Sequence, residues 1–176
     1  MEDQTDQDLV SASLAGNRDA FAQLVRRYQD SVFGLAVSMT RNHADAADMA
    51  QEAFVRAYTR LDQYDPSYPF RPWLLRICAN RAKNLFRQRT NRRRIEEEYQ
   101  ADAPSLQSES GKDYQELESA LSRLPARLAM PLRLKYMEDL SYEEVAGVLN
   151  IGVSAAKMRV LRARNRLAEM LNYEKA

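Results

Sequence analysis

The chain has 176 residues, 45% of them apolar, with 26 basic and 25 acidic side chains, enough for one average domain or two small ones with a real core, so a disordered tail is excluded. A lone cysteine, Cys78, excludes an internal disulfide, the acidic start "MEDQTDQD" lacks the layout of a secretory signal, and no apolar run approaches a membrane span, so a cytoplasmic protein with no membrane insertion of its own is expected. One histidine, His43, and the lack of a Gly-rich phosphate loop, a CxxC pair or an HExxH argue against metal and nucleotide cofactors and against enzymatic catalysis.

Helix signals run along nearly the whole chain, and no alternating strand of useful length interrupts them. Thr5 is placed to cap a short first helix that Gly16 ends, and Asn17 to cap a second over residues 18–39. Phe21, Leu24, Val25, Tyr28, Val32, Leu35 and Ala36 recur at spacings of three and four there, which predicts one buried stripe. A third helix is predicted over residues 44–63, with Ala50, Phe54, Ala57 and Leu61 inward and Asp48, Gln51, Glu52 and Val55 on another face. Three prolines in "YDPSYPFRP" demand a turn or ordered loop. Residues 1–70 carry 6 basic and 11 acidic side chains, whereas residues 71–94 carry 9 and 0.

That basic block is predicted as a fourth helix. Leu74, Ile77, Cys78, Ala82 and Leu85 share one side of it; Trp73, Arg76, Asn80, Lys83, Asn84 and Arg87 gather roughly opposite. An aromatic, amides and cations on one face suit nucleic acid with unpaired bases, because bases stack on rings, amides read exposed edges and cations hold phosphates. Tyr64, Tyr68 and Phe70 in the preceding loop extend the aromatic character, and Tyr64 and Phe70 fit loop packing equally well.

Periodicity fails over residues 95–112, where Ser, Glu and Gln dominate; such a segment buries too little to fold alone and is expected to be a flexible, acidic linker. Helices are predicted over residues 113–124 and from Pro125 to about 137. Ser141 with Glu144 then makes a capping box opening a short helix, "NIG" is a tight turn, and a basic helix starts near Val153. Helix, tight turn and basic helix together predict a helix-turn-helix, whose second helix enters the DNA major groove. Val153, Ala156, Val160, Ala163 and Leu167 form its apolar stripe, which leaves Lys157, Met158, Leu161 and Arg162 as base readers. Arg159, Arg164 and Arg166 flank them as phosphate contacts.

The predicted fold is therefore all-α: an N-terminal helix bundle, residues 1–94, and a C-terminal helix-turn-helix domain, residues 113–176, joined by a flexible linker. Three stretches, "DAADMAQEAFVRAY", "FRPWLLRICANRAKN" and "LSYEEVAGVLNIGVSAAKMRVLRARNRL", resemble conserved regions 2 and 4 of extracytoplasmic-function (group 4) sigma factors, the promoter-specificity subunits of bacterial RNA polymerase. The resemblance spans about residues 8–171. It implies that the first domain melts and reads the −10 element and that the last reads the −35 element as duplex. It also implies core RNA polymerase and promoter DNA as partners, an anti-sigma factor as restraint, and docking on the polymerase clamp by Asp48, Gln51, Glu52 and Val55. Tyr64, Phe70 and Asn80 resemble positions that hold a flipped −10 base, and Lys83, Asn84 and Arg87 match positions along its recognition helix. The sequence departs from many relatives in its "YDPSYPF" loop and in Met158 and Leu161 on the reading helix.

Other readings compete on the residues alone. A free-standing helix-turn-helix repressor or activator would bind duplex DNA tightly by itself, but it leaves the basic, aromatic face from Trp73 to Arg87 without a role. A carboxylate metal cluster at Asp45, Asp48 and Glu52 lacks a Glu-x-x-His partner helix. Cys78 falls on an apolar face as a small hydrophobe, and His43 sits at a helix start.

Overall fold

The computed structural model describes residues 4–40, 42–93 and 112–174, with the side chains of 82–93, 112–116, 118 and 172–174 outside that description. Among the described residues every regular element is helical: α1 (Asp6–Leu14), α2 (Arg18–Thr40), α3 (His43–Thr59), α4 (Phe70–Arg93), α5 (Lys112–Arg123), α6 (Ala126–Tyr136), α7 (Tyr142–Leu149) and α8 (Val153–Glu174). The segment expected to be a linker lies outside the described residues, apart from Lys112, which opens α5.

Local chemistry accounts for most of the boundaries. The Thr5 hydroxyl accepts the Asp8 amide at 3.2 Å while the Asp8 carboxylate accepts the Thr5 amide at 3.0 Å, so two orphan donors of α1 are satisfied reciprocally. Gly16 takes φ +96° and ends that helix, and Asn17 Oδ1 accepts the amides of Asp19 and Ala20 to begin α2. The third helix is shorter than expected: it stops at Thr59, and Leu61–Gln63 form a separate 3₁₀ turn that buries Leu61. Ser141 and Glu144 form the predicted capping box at 3.1 and 2.7 Å. The predicted tight turn follows α7. Asn150 occupies the left-handed conformation there at φ 50°, which asparagine tolerates better than most other residues with a side chain.

Packing joins these elements into two apolar clusters. One contains the buried residues of α1–α4, including Leu24, Leu35, Met49, Ala53, Phe70, Leu74 and Cys78, and continues without a break into Leu134, Leu140, Val145, Val148 and Leu149. The other is formed by α5, α6 and α8 through Ala120, Leu124, Leu132, Val160, Ala163 and Leu167. Thus α6 packs on α2, and α7 packs on α4. That second contact explains why α4 buries Leu75 and Ala79 as well as the expected Leu74 and Cys78. A helix covered from two sides has a wider buried face than one apolar stripe suggests.

Candidate partner and nucleic-acid interfaces

Three surfaces collect the residues singled out by sequence. The first lies between α2 and α3, where a groove of about 920 Å³ is lined by Phe21, Val25, Phe33, Phe54, Gln51 and Val55 among others. The stripe of α2 accounts for it: Val25 is only half-buried where Phe21 and Leu24 are covered, so its apolar surface faces this groove. Val55 is exposed, and Phe21 meets Tyr58 edge-on at 4.9 Å between ring centres. Asp48 is also exposed.

Glu52 stands apart from its three partners on that face. Its carboxylate accepts Arg56 Nε and Nη2 at 2.9 and 2.7 Å and is also bound by Arg81 of α4. Burial pushes its pKa up, but the hydrogen bonds and charges of Arg56 and Arg81 outweigh burial and hold it below the ordinary carboxylate value. Glu52 thereby ties α3 to α4. The sequence missed this because Arg81 is 29 residues away.

The second surface is the start of α4 with the preceding loop. Tyr28, Tyr64, Phe70 and Trp73 form an aromatic cluster with centroid separations of 5.2–5.8 Å. Phe70 is 1% exposed and Tyr64 7%, so neither ring presents a free face for a base in this structure; both pack the loop against the bundle. The Tyr64 hydroxyl donates to the Tyr68 carbonyl, which holds the loop closed. Burial raises the pKa of Tyr64, in keeping with that role. Trp73 is half-buried at the cluster's edge, and Arg76 and Asn80 are exposed. The side chains of Lys83, Asn84 and Arg87 lie outside the described residues, although their backbone continues α4.

Tyr68 is the aromatic that this loop does expose, at 68%. It borders a cavity of about 520 Å³ with Asp6, Gln7, Arg27 and Tyr28. There Asp6 is paired with Arg27 at 2.6 Å and accepts the Tyr28 hydroxyl, while Gln7 Nε2 donates to the Pro66 carbonyl at 2.8 Å. Burial first, and Asp6 second, push the Tyr28 pKa upward. The N-terminal helix thus braces the loop. The Thr5 cap and Gly16 marked α1 in the sequence, and nothing there linked it to residues 64–70.

The third surface is α8, where the predicted phase holds from Ala156 onward, while Val153 at the helix start is half-buried. Ala156, Val160, Ala163 and Leu167 are buried, while Lys157, Met158, Leu161 and Arg162 are exposed. Met158 and Leu161 expose 47% and 48% of their surface, a cost in water that an apolar partner would remove. Lys157 lies 5.7 Å from the Tyr142 ring centre, a cation–π arrangement that ties it to the first residue of α7. Arg159 is half-buried, and Arg166 pairs with Glu169 at 3.1 Å on the open surface.

No grouping of three or more metal-ligating side chains occurs among the described residues. Cys78 is fully buried, and burial pushes its thiol pKa up to about 12, so it carries no reactive thiolate near neutral pH. Among the described residues no helix is long and apolar enough to cross a membrane. Sequence reasoning missed one further cluster: Glu138, 3% exposed between α6 and α7, is bound by Arg71 at the start of α4.

Residues 24–92 match the family description Sigma-70 region 2, and residues 114–167 match Sigma-70, region 4. The chain is 33% identical to the RNA polymerase sigma-H factor of Pseudomonas aeruginosa over 94% of this chain and 93% of that one. It is 34% identical to the ECF RNA polymerase sigma-E factor of Escherichia coli K12 over 93% and 92%. Among solved structures it is similar to the sigma factor RpoE in complex with the anti-sigma factor NepR from Bartonella quintana. That match has a TM-score of 0.76 at 25% identity, over 86% of this chain and 96% of that one. Likeness to CnrH in complex with the cytosolic domain of CnrY gives 0.69 at 30% identity over 96% and 97%.

Proposed function

The chain belongs to the extracytoplasmic-function sigma factors and directs transcription initiation through core RNA polymerase, and we propose that it reads the −35 element as duplex through α8 and the −10 element as opened strand through α4. It contributes no covalent chemistry in this role. The polymerase makes the RNA, and the sigma factor places it.

The observation that carries this reading is the outward set on α8. Lys157 and Arg162 offer donors suited to guanine O6 and N7, and Met158 and Leu161 offer apolar contact suited to thymine methyl groups. Arg159, Arg164 and Arg166 serve as phosphate contacts. Arg166 must exchange its Glu169 partner for a phosphate, a small cost because an exposed ion pair contributes at most about 1 kcal/mol.

At the other face, Arg76 and Asn80 meet the opened strand, with Lys83, Asn84 and Arg87 continuing along the same helix. Trp73 stacks or wedges at the duplex edge. Because Tyr64 and Phe70 are committed to packing, Tyr68 takes the stacking role in the loop, and the cavity beside it receives the displaced base. Each base stacked on an aromatic contributes about 1 to 3 kcal/mol, which offsets part of the cost of unpairing.

Docking on core polymerase falls to the α2–α3 groove. A helix of the polymerase clamp lays an apolar face against Phe21, Phe54 and Val55, with Asp48 and Gln51 supplying polar contacts. The change Gln51→Ala with Val55→Arg should weaken core binding at least tenfold, about 1.4 kcal/mol, with little change in melting temperature because both residues are exposed. Unaltered affinity would remove the groove from the account. An anti-sigma factor of the kind seen with the two structural neighbours is a further partner, and the cytoplasm is the site of action.

A further inference from the structure

We infer that Gln7 of α1 is a positioning residue for promoter opening: its side chain holds the turn over residues 65–68 from outside and so fixes where the exposed Tyr68 ring meets a displaced base. The inference deepens the role proposed above for this loop and rests on it.

The chemistry of the loop explains why it needs an outside hold. Pro66 and Pro69 have no amide N–H, so they cannot donate to a neighbouring element. The amides of Ser67 and Tyr68 are used within the turn, on Asp65 Oδ1 at 2.9 Å and on the Asp65 carbonyl at 3.1 Å, and the Ser67 hydroxyl donates to the same Oδ1 at 2.7 Å. Carbonyls reach outward instead. That of Tyr68 accepts the Tyr64 hydroxyl, which ties the turn to its own flank. That of Pro66 accepts Gln7 Nε2 at 2.8 Å across 59 residues of sequence, which ties it to another helix.

Gln7 is itself firmly mounted. Its neighbour Asp6 pairs with Arg27 at 2.6 Å and accepts the Tyr28 hydroxyl, Arg27 Nη2 donates to the Gln4 carbonyl at 2.9 Å, and Leu9 and Val10 bury the other side of α1. The first turn of α1 is thus fastened to α2 and offers the Gln7 amide at a fixed place. Tyr68, in contrast, is 68% exposed, so packing does little to place its ring and the backbone of the turn must do so. A ring already held where the base arrives loses less freedom on stacking than one carried by a wandering loop. Gln7 is exposed, so removing its hydrogen bond should leave the rest of the fold intact.

Gln7→Met keeps the length of the side chain and removes the donor, and the full-length chain carries the test. Hydrogen exchange at the Ser67 and Tyr68 amides should quicken by about two- to tenfold, the range expected for one net hydrogen bond, with the melting temperature unchanged. In holoenzyme, on a promoter bearing a fluorescent aminopurine in the −10 region, formation of the open complex should fall by a similar factor while closed-complex affinity stays native. In a Tyr68→Ala background, Gln7→Met should add no further defect. Unchanged amide exchange, or a large fall in melting temperature, overturns the hold. Faster exchange with native opening, or a full added defect when the Tyr68 ring is already absent, overturns the positioning role alone. Native opening by Tyr68→Ala itself overturns the proposed role of the loop, and the positioning role with it.

Discussion

Helices α4 and α8 are both basic, and both bear one of the proposed DNA-reading faces, yet the sequence pattern places the side chains of α8 more completely than those around the start of α4. Its stripe of Ala156, Val160, Ala163 and Leu167 is buried, and the four side chains assigned to bases point outward. In α4 the helical phase separated Leu74 and Cys78 from Arg76 and Asn80 correctly, but the aromatic residues around its start divide differently. Phe70 is core, Trp73 is rim, and Tyr68 is the exposed ring. Periodicity assigns faces within a helix. It has no purchase on a proline-bearing loop, where a ring's fate depends on which distant residues meet it.

The largest expected effect attacks that division at Phe70. Phe70→Ala removes a fully buried ring that touches Tyr28, Tyr64 and Trp73, and should cost about 3 to 5 kcal/mol. A fall in melting temperature on the order of 10 °C should follow. Tyr68→Ala, by contrast, should melt as the native chain does and fail in promoter opening, with most transcription recovered on a template mismatched across the −10 region. Should Phe70→Ala melt normally and Tyr68→Ala transcribe normally, the two rings have been given each other's roles.

Trp73 tests the boundary between those cases. Being half-buried, Trp73→Ala should lose about half the stability that Phe70→Ala loses, and mismatched templates should rescue only part of its activity. Thermal melts beside initiation assays on both templates separate the two contributions. Complete rescue, or none, would move the ring wholly to one side.

Acid stability probes the contrast on α3, where Glu52 is structural and its neighbours are proposed contacts. Glu52 is held below its ordinary pKa of 4.5, so its pairs with Arg56 and Arg81 contribute above that pH, and the contribution is lost as pH falls through the lowered folded value. Glu52→Gln should therefore be less stable than the native chain at neutral pH, by about 1 kcal/mol or less given the partial exposure, and the difference should shrink below pH 4.5. A pH-independent gap in denaturant midpoints would contradict this.

On α8 the effects should be smallest in stability and clearest in specificity. Arg162→Ala should relax sequence preference at one −35 position by about 1 to 3 kcal/mol, whereas Arg166→Ala should weaken binding evenly and lower the salt slope by about one. Exchanged effects would mean the helix lies in the groove on a different face.

How far the sequence was legible follows from the range of each interaction. Caps such as Thr5 with Asp8 and Ser141 with Glu144 act within three residues and were readable. The buried stripes of α2 and α8 act within a helix and were nearly so. The tight turn at "NIG" was readable too, and Asn150 supplies its left-handed residue, a conformation that asparagine tolerates. The pairing of Arg71 with Glu138 joins positions 67 residues apart across two domains, and no local pattern marks it. For the same reason the wide buried face of α4 was visible only once α7 had been placed on it.

The central claim is that α8 reads duplex while α4 and its loop act on opened strand, and transcription by reconstituted holoenzyme tests it most directly. With core polymerase and this chain, initiation should depend on both elements of a matched promoter. Mismatching the −10 region should relieve defects at Tyr68 but leave those of a Lys157→Ala, Arg162→Ala double variant in place. The account is contradicted if mismatching rescues the α8 variant as well as the loop variant, or if the chain gives no promoter-dependent transcription and binds duplex DNA tightly without polymerase.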